Sequence, residues 1–176
     1  MTDLRRNNLL GKLLLHAPII LLYIAVINDF NFNYLGLKYF SFNFSFILIF
    51  YYSLKRSSGL GYVSVFFAGI FNDVVVGIPI GISSLLYLLL CGAAAYLRNI
   101  TLRPNLMMDW LFFLGTILIL NSLSFLILTL FFGYIINFYD QLINVLFTFL
   151  LYYFFSQFFG FFEYTFVERF NARWRF

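Results

Sequence analysis

The stretch that decides the fold is LGYVSVFFAGIFNDVVVGIPIGISSLLYLLLCGAAAYL, residues 60–97. It contains two apolar runs joined by the sequence GIPIG at residues 77–81. Each run approaches the roughly 20 residues that an α-helix needs to cross a bilayer. Pro79 lacks an amide hydrogen, and the flanking glycines give the backbone freedom. The pattern therefore predicts that one membrane helix ends in a tight turn at residues 77–81 and that a second helix begins there.

The rest of the chain has the same apolar character. The 176 residues are 63% hydrophobic and 10% charged, whereas soluble domains are about half apolar and about a quarter charged. Continuous apolar segments, unlike the alternating strands of a membrane β-barrel, lie at roughly 10–27, 39–54, 60–77, 80–97, 110–133 and 141–162. The sequence predicts an all-α, polytopic membrane protein with about six transmembrane helices, in a single domain over residues 1–176.

The basic residues divide unequally between the predicted loops. If the N-terminus is cytoplasmic, ten of the eleven Lys and Arg residues lie on the cytoplasmic side and only Lys38 lies outside. Short cytoplasmic loops of membrane proteins are enriched in Lys and Arg. The distribution predicts six crossings with both termini in the cytoplasm. It also accounts for the net charge of +4 without a nucleic-acid partner.

Asp73 is an acid inside an apolar run, and it has glycines at helical spacing. An Asp at the centre of a membrane helix costs about 2.5–3.5 kcal/mol on insertion scales, so it is a candidate functional residue by default. Gly69, Asp73 and Gly77 are predicted to share one helix face, where small residues let another helix approach closely. Alternatively, the glycines serve only ordinary packing within the chain. The carboxylate is expected near the unsatisfied amides that begin the next helix, around Ser83, and we interpret it as fixing helix geometry rather than relaying protons.

The sequence lacks the residue clusters that membrane enzymes use. His16 is the only histidine, Cys91 is the only cysteine, and the seven acidic residues are dispersed. Catalysis and metal binding require several such groups at a workable spacing. We therefore predict a non-enzymatic protein with no catalytic residue, no cofactor and no metal site.

The motif around the turn resembles that of the MreD family, the bacterial rod shape-determining membrane proteins. The matching residues are Gly69, Asp73, Gly77, Pro79 and Gly81. The residues that follow Gly69 and Pro79 are isoleucines, where leucine is more usual in the family. Chain length, the six-span plan and the basic termini agree with the family over the whole chain, whereas the specific motif covers residues 69–81 only.

The resemblance implies a location, a function and a set of partners. It implies a multi-pass protein of the bacterial cytoplasmic (inner) membrane, with a fold distantly similar to the S components of energy-coupling-factor transporters. Such a protein is a non-enzymatic part of the cell-elongation machinery that helps to position peptidoglycan synthesis and so maintain cell shape. The implied partners are MreC, then RodA, a penicillin-binding transpeptidase and MreB, together with membrane lipid; a homo-oligomer is a further expectation.

Two other functions remain as alternatives. A substrate-binding S component of a vitamin transporter should bring polar and aromatic groups together in an outer pocket and carry an Ala-xxx-Ala surface on its first helix. Ala17 and Ala25 are eight positions apart, which disfavours that function. A small channel should show rings of charged side chains, and the sequence has none.

Overall fold

The computed structural model describes residues 16–27, 41–55, 60–101, 105–135 and 137–162. These residues form six α-helices and no β-strand, which confirms the predicted all-helical class. The helices are α1 (His16–Ile27), α2 (Phe44–Lys55), α3 (Tyr62–Val76), α4 (Ile82–Ile100), α5 (Leu106–Phe132) and α6 (Phe138–Phe162). The predictions for Lys38 and for the basic residues of both chain ends lie outside the described residues.

Three of the helices are long and apolar enough to cross a membrane, judged by length and composition. These are α4 with 19 residues, α5 with 27 and α6 with 25. Helices α2 and α3 have 12 and 15 residues, or roughly 18 and 22 Å at 1.5 Å per residue, against a hydrocarbon core of about 30 Å. The apolar helices indicate a membrane protein, while six crossings stay a prediction.

Helix α2 lies at the centre of the bundle. Nine of its 12 residues are buried, and it contacts both α4 and α6. A helix that is hydrophobic on every side lies either in a protein core or in a membrane. The short length of α2 and the burial of most of its residues fit a core helix, which hydropathy alone does not distinguish from a lipid-facing span.

Helices α4 and α5 extend into residues 98–109, which separate two of the predicted apolar segments. Helix α4 continues to Ile100, and α5 begins at Leu106 instead of near residue 110. The side chain of Asn105 accepts a hydrogen bond from the Met107 amide at 3.2 Å, and Asp109 lies in the first turn of α5. Asn and Asp at these positions stabilise the amino end of a helix, but they lower the local hydropathy. The apolar segment therefore begins about four residues later in the sequence than α5 does in the structure.

The bundle has a turn end, where residues 77–81 join α3 to α4, and an opposite end, where α2 and α4 finish. At the opposite end, the Arg98 guanidinium donates to the Ser53 carbonyl at 3.0 Å. Lys55, the last residue of α2, is exposed at this end. The two basic residues of the described chain thus lie at the same end of the bundle.

Aromatic packing joins α2, α5 and α6. The rings of Phe113 and Tyr152 stack with centroids 4.3 Å apart, and Phe50 contacts both. Trp110 stacks on Phe149 at 4.4 Å and donates its indole N–H to the Phe149 carbonyl at 2.9 Å. Each aromatic pair contributes about 0.5–1.5 kcal/mol beyond area burial, so these contacts fix α5 and α6 against the core.

Candidate functional site

The turn between α3 and α4 is built on two glycines. Gly77 ends α3 with φ +75°, and Gly81 precedes α4 with φ +108°. Left-handed backbone of this kind costs other residues about 1–2 kcal/mol. The amides of Gly77 and Ile78 both donate to the Asp73 carbonyl, at 2.9 and 3.1 Å. Half-buried Pro79 lies between the glycines, so the predicted helix break at residues 77–81 is confirmed.

The Asp73 side chain connects α3 to the start of α4. It is completely buried. Its Oδ2 accepts a hydrogen bond from the Gly81 amide at 2.6 Å, and its Oδ1 accepts one from the Ser83 amide at 2.9 Å. The first amides of a helix lack partners within the helix, and negative charge is favourable there. The expected contact between Asp73 and the amino end of the next helix is therefore present.

Two side-chain hydrogen bonds reinforce this connection. The Asn72 amide nitrogen donates to the Ser83 hydroxyl at 2.9 Å, and the Ser84 hydroxyl donates to the Phe66 carbonyl at 2.9 Å. Sequence reasoning singled out Asp73 and assigned no partner to Asn72. The sequence did contain a signal for this contact, because Asn72 is a second polar residue in the apolar run and directly precedes Asp73.

Gly69 allows the backbones of α3 and α4 to touch. A Cβ atom at this position would lie 2.5 Å from the Ser84 amide nitrogen and 2.7 Å from its Oγ, and closer still to its Cα. The predicted close approach of a second helix is confirmed at Gly69. The same prediction is wrong for Gly77, because Gly77 is exposed and a Cβ there would meet nothing within 4 Å. Gly77 is needed for its backbone angle instead.

A polar cavity of about 230 Å³ adjoins the turn. Each of the six described helices contributes at least one residue to the lining of the cavity. None of the described lining residues is charged. The polar lining residues are Asn43, Ser45, Asn72, Ser83, Tyr87, Asn121, Ser124 and Asn144.

A second, mostly apolar concavity of about 420 Å³ lies between α5 and α6; we call it the α5–α6 groove. Its walls include Leu126 and Leu130, which are 49% and 72% exposed. Its polar residues include Gln141, whose amide nitrogen donates to the Asn121 carbonyl at 3.0 Å. The groove thus presents exposed apolar surface on the two longest helices.

The fold and the turn define a class of protein: an all-helical membrane bundle in which a buried acid caps the helix that follows its own. Comparison of the chain with protein-family models, with curated proteins and with solved structures gave no match. Within the described ranges, no three His, Cys, Asp or Glu side chains come together as a metal site would require.

Proposed function

We propose that the chain is a non-enzymatic, MreD-like membrane component of the machinery that maintains rod shape, binding MreC and helping to position peptidoglycan synthesis. The observation that carries the proposal is the motif at residues 69–81. Its members form one connected unit: Gly69 provides backbone contact, Asp73 caps α4, and Gly77 and Gly81 provide the turn. The motif that resembles the family is the segment that makes α3 and α4 a rigid pair.

The environment of Asp73 supports a structural role for the motif. Both carboxylate oxygens are occupied by backbone amides, and the side chain has no solvent exposure. A general acid or base must reach the reacting group directly or through one water molecule. An acid enclosed in this way suits a scaffold whose helices must keep a fixed arrangement.

The α5–α6 groove is the surface best suited to a partner helix. Single-span partners such as MreC present one transmembrane helix, and helices in membranes associate through close packing and hydrogen bonds between helices. The groove combines exposed leucines with Ser122, Thr129 and Gln141. We assign the MreC contact to this groove, with RodA, the transpeptidase and MreB as further members of the assembly.

The proposal includes a topology. Lys55 and Arg98 lie at the end opposite the turn, and cytoplasmic ends carry the excess of basic residues. Six crossings of the bacterial inner membrane with cytoplasmic termini would place the turn and its polar cavity on the outer side. Reporter tags on the two termini test this arrangement, since tags on opposite sides would contradict it.

The function is tested by depletion and by substitution in the groove. Depleting the chain from its native cells should make rod-shaped cells round. Leu126→Trp and Leu130→Trp fill the groove and should abolish both rescue and MreC co-purification at normal protein level. Ile119→Trp is the matched control, because Ile119 is 69% exposed and does not line the groove. Retained MreC binding in the groove variants would contradict the assignment of the groove, and unchanged cell shape after depletion would contradict the function.

The polar cavity favours one alternative, a substrate-binding S component of an energy-coupling-factor vitamin transporter. Tyr87 and several asparagines converge on it, as the outer pocket of such a component requires. The Ala-xxx-Ala surface is still lacking, since Ala17 and Ala25 are not at that spacing. Loss of vitamin uptake on depletion, with cell shape unchanged, would favour this alternative.

A further inference from the structure

Four asparagines from separate segments converge on the polar cavity at the turn end. Asn43 precedes α2, Asn72 lies on α3, Asn121 on α5 and Asn144 on α6. A polar side chain within a membrane segment is unfavourable unless its groups are satisfied by neighbours, water or a ligand. A single asparagine in a membrane helix commonly forms a hydrogen bond to a neighbouring helix. Four asparagines that line the same cavity instead give that cavity a polar wall.

The hydrogen bonds within the protein leave part of this lining unused. Asn72 and Asn121 use their amide nitrogens on the Ser83 hydroxyl and the Ile117 carbonyl. Within the described chain, no donor reaches their side-chain oxygens, and the hydroxyls of Ser45 and Ser124 make no hydrogen bond. Two acceptors and two hydroxyls are therefore available to a molecule in the cavity.

The cavity carries no charge for an ionic ligand to pair with. Asp73 is the acid nearest to it along the chain, next to the lining residue Asn72, and both Asp73 oxygens are occupied by the Gly81 and Ser83 amides. The described lining offers no counter-charge to an ion, and burying an unpaired charge costs far more than burying a neutral group that forms hydrogen bonds. A neutral molecule that donates hydrogen bonds meets acceptors and hydroxyls on the polar side and Val26 or Leu86 on the apolar side.

The volume limits the ligand to a small one. About 230 Å³ equals the volume of about eight water molecules in the liquid, at roughly 30 Å³ each. It lies below the roughly 300–1,000 Å³ of sites for drug-sized ligands. We infer that this cavity is a binding site for a small uncharged solute with several hydrogen-bonding groups, such as a simple amide or polyol. The site goes beyond the scaffold function and does not depend on it.

The proposal is tested by measuring how fast a single cysteine in the cavity is alkylated, with the protein in lipid nanodiscs. Cys91 is the only cysteine and is buried, so Cys91→Ser gives a cysteine-free background and preserves the contact with the Ser53 hydroxyl. Ser124→Cys places a thiol on the cavity wall. Ile135→Cys is the control, because Ile135 is exposed beside Tyr134 at the same end of the bundle and does not line the cavity. The probes are iodoacetamide and iodoacetate, which have nearly the same size and differ in charge; each rate is normalised to glutathione.

The expected result is a preference for the neutral probe that a neutral solute suppresses. At Ser124→Cys, the ratio of the iodoacetamide rate to the iodoacetate rate should be about ten times the ratio at Ile135→Cys, since a factor of ten reflects about 1.4 kcal/mol of discrimination. Excess acetamide or glycerol should slow alkylation at Ser124→Cys and leave alkylation at Ile135→Cys unchanged. Equal competition at both cysteines, no competition at either, or equal reaction with both probes would overturn the proposal.

Two further variants test whether the protection by acetamide depends on the polar side chains that line the cavity. Asn121→Leu removes one free acceptor at similar volume, and Ser45→Ala removes one hydroxyl with little change in packing. Each should weaken protection by acetamide about threefold to tenfold, as expected for one hydrogen bond of about 0.5–1.5 kcal/mol. Should Asn121→Leu lower the protein level, Ser45→Ala decides alone, and undiminished protection in that variant would contradict the assigned lining.

Discussion

Replacing Asp73 measures how strongly the acid holds α3 to α4. Its carboxylate accepts backbone hydrogen bonds at 2.6 and 2.9 Å, and a hydrogen bond to a charged group contributes about 1.5–3 kcal/mol. Asp73→Asn retains one acceptor and turns an NH₂ group toward the other amide, so it should cost about 1.5–3 kcal/mol. Asp73→Ala removes both acceptors and should cost about 3–6 kcal/mol, twice the value for one bond.

Thermal unfolding of the purified protein in detergent, followed by circular dichroism, measures these losses. A chain of this size loses about 2–4 °C in Tm per kcal/mol. Asparagine should therefore lower Tm by about 3–12 °C and alanine by about 6–24 °C on the same scale. Asp140→Asn is the matched control, because Asp140 is an exposed acid in the first turn of α6 and its helix-dipole contribution is only about 0.3–1 kcal/mol.

Two outcomes would refute this reasoning. If Asp73→Asn lowers Tm no more than Asp140→Asn does, the two backbone hydrogen bonds contribute little to stability. If Asp73→Asn leaves both Tm and protein level unchanged but abolishes cell-shape rescue, the ionised acid acts in function itself. In that case its role is not to fix the geometry of the two helices.

The remaining predictions concern backbone contact, backbone angle and one side-chain anchor. Gly69→Ala should lower Tm by several degrees or reduce the protein level, because its Cβ falls on the α4 backbone. Gly92→Ala, in open space on α4, should be neutral or stabilising by up to about 1 kcal/mol; equal effects of the two would contradict the close contact. Gly77→Ala should cost about 1–2 kcal/mol for its positive φ, measured as Tm, and no loss would show that the turn adopts another conformation. Trp110→Phe keeps the ring but loses its hydrogen bond to α6, so it should cost about 0.5–1.5 kcal/mol; a Tm equal to wild type would show that stacking alone holds this contact.

The helix positions and the turn follow from local chemistry in the sequence. Apolar runs predict hydrophobic helices, and GIPIG at residues 77–81 interrupts them because proline and left-handed backbone angles end a helix. Asp73 lies eight residues before Gly81, so a tight turn necessarily brings it near the free amides of α4. For these features, short-range backbone constraints were sufficient.

The polar cavity was not predictable in the same way. Asn43, Asn121 and Asn144 are polar residues within three different apolar segments, and they are far apart in sequence. From the sequence alone, each of these asparagines could form a hydrogen bond to any of several helices. Their convergence depends on how α2, α5 and α6 rotate about their axes, and that rotation is set by packing partners distant in the chain.

The sequence by itself determined that this is an apolar, helical membrane chain with an acid beside a glycine-proline turn. Only the tertiary structure decided that most residues of α2 are buried while most residues of α5 are not, although both helices are mainly apolar. It also decided that Gly69 serves close contact whereas Gly77 serves backbone angle. The physical reason is that hydropathy reports how much a residue avoids water, while lipid and protein interior are equally apolar. Which apolar face turns inward is therefore fixed by shape and hydrogen bonding between helices.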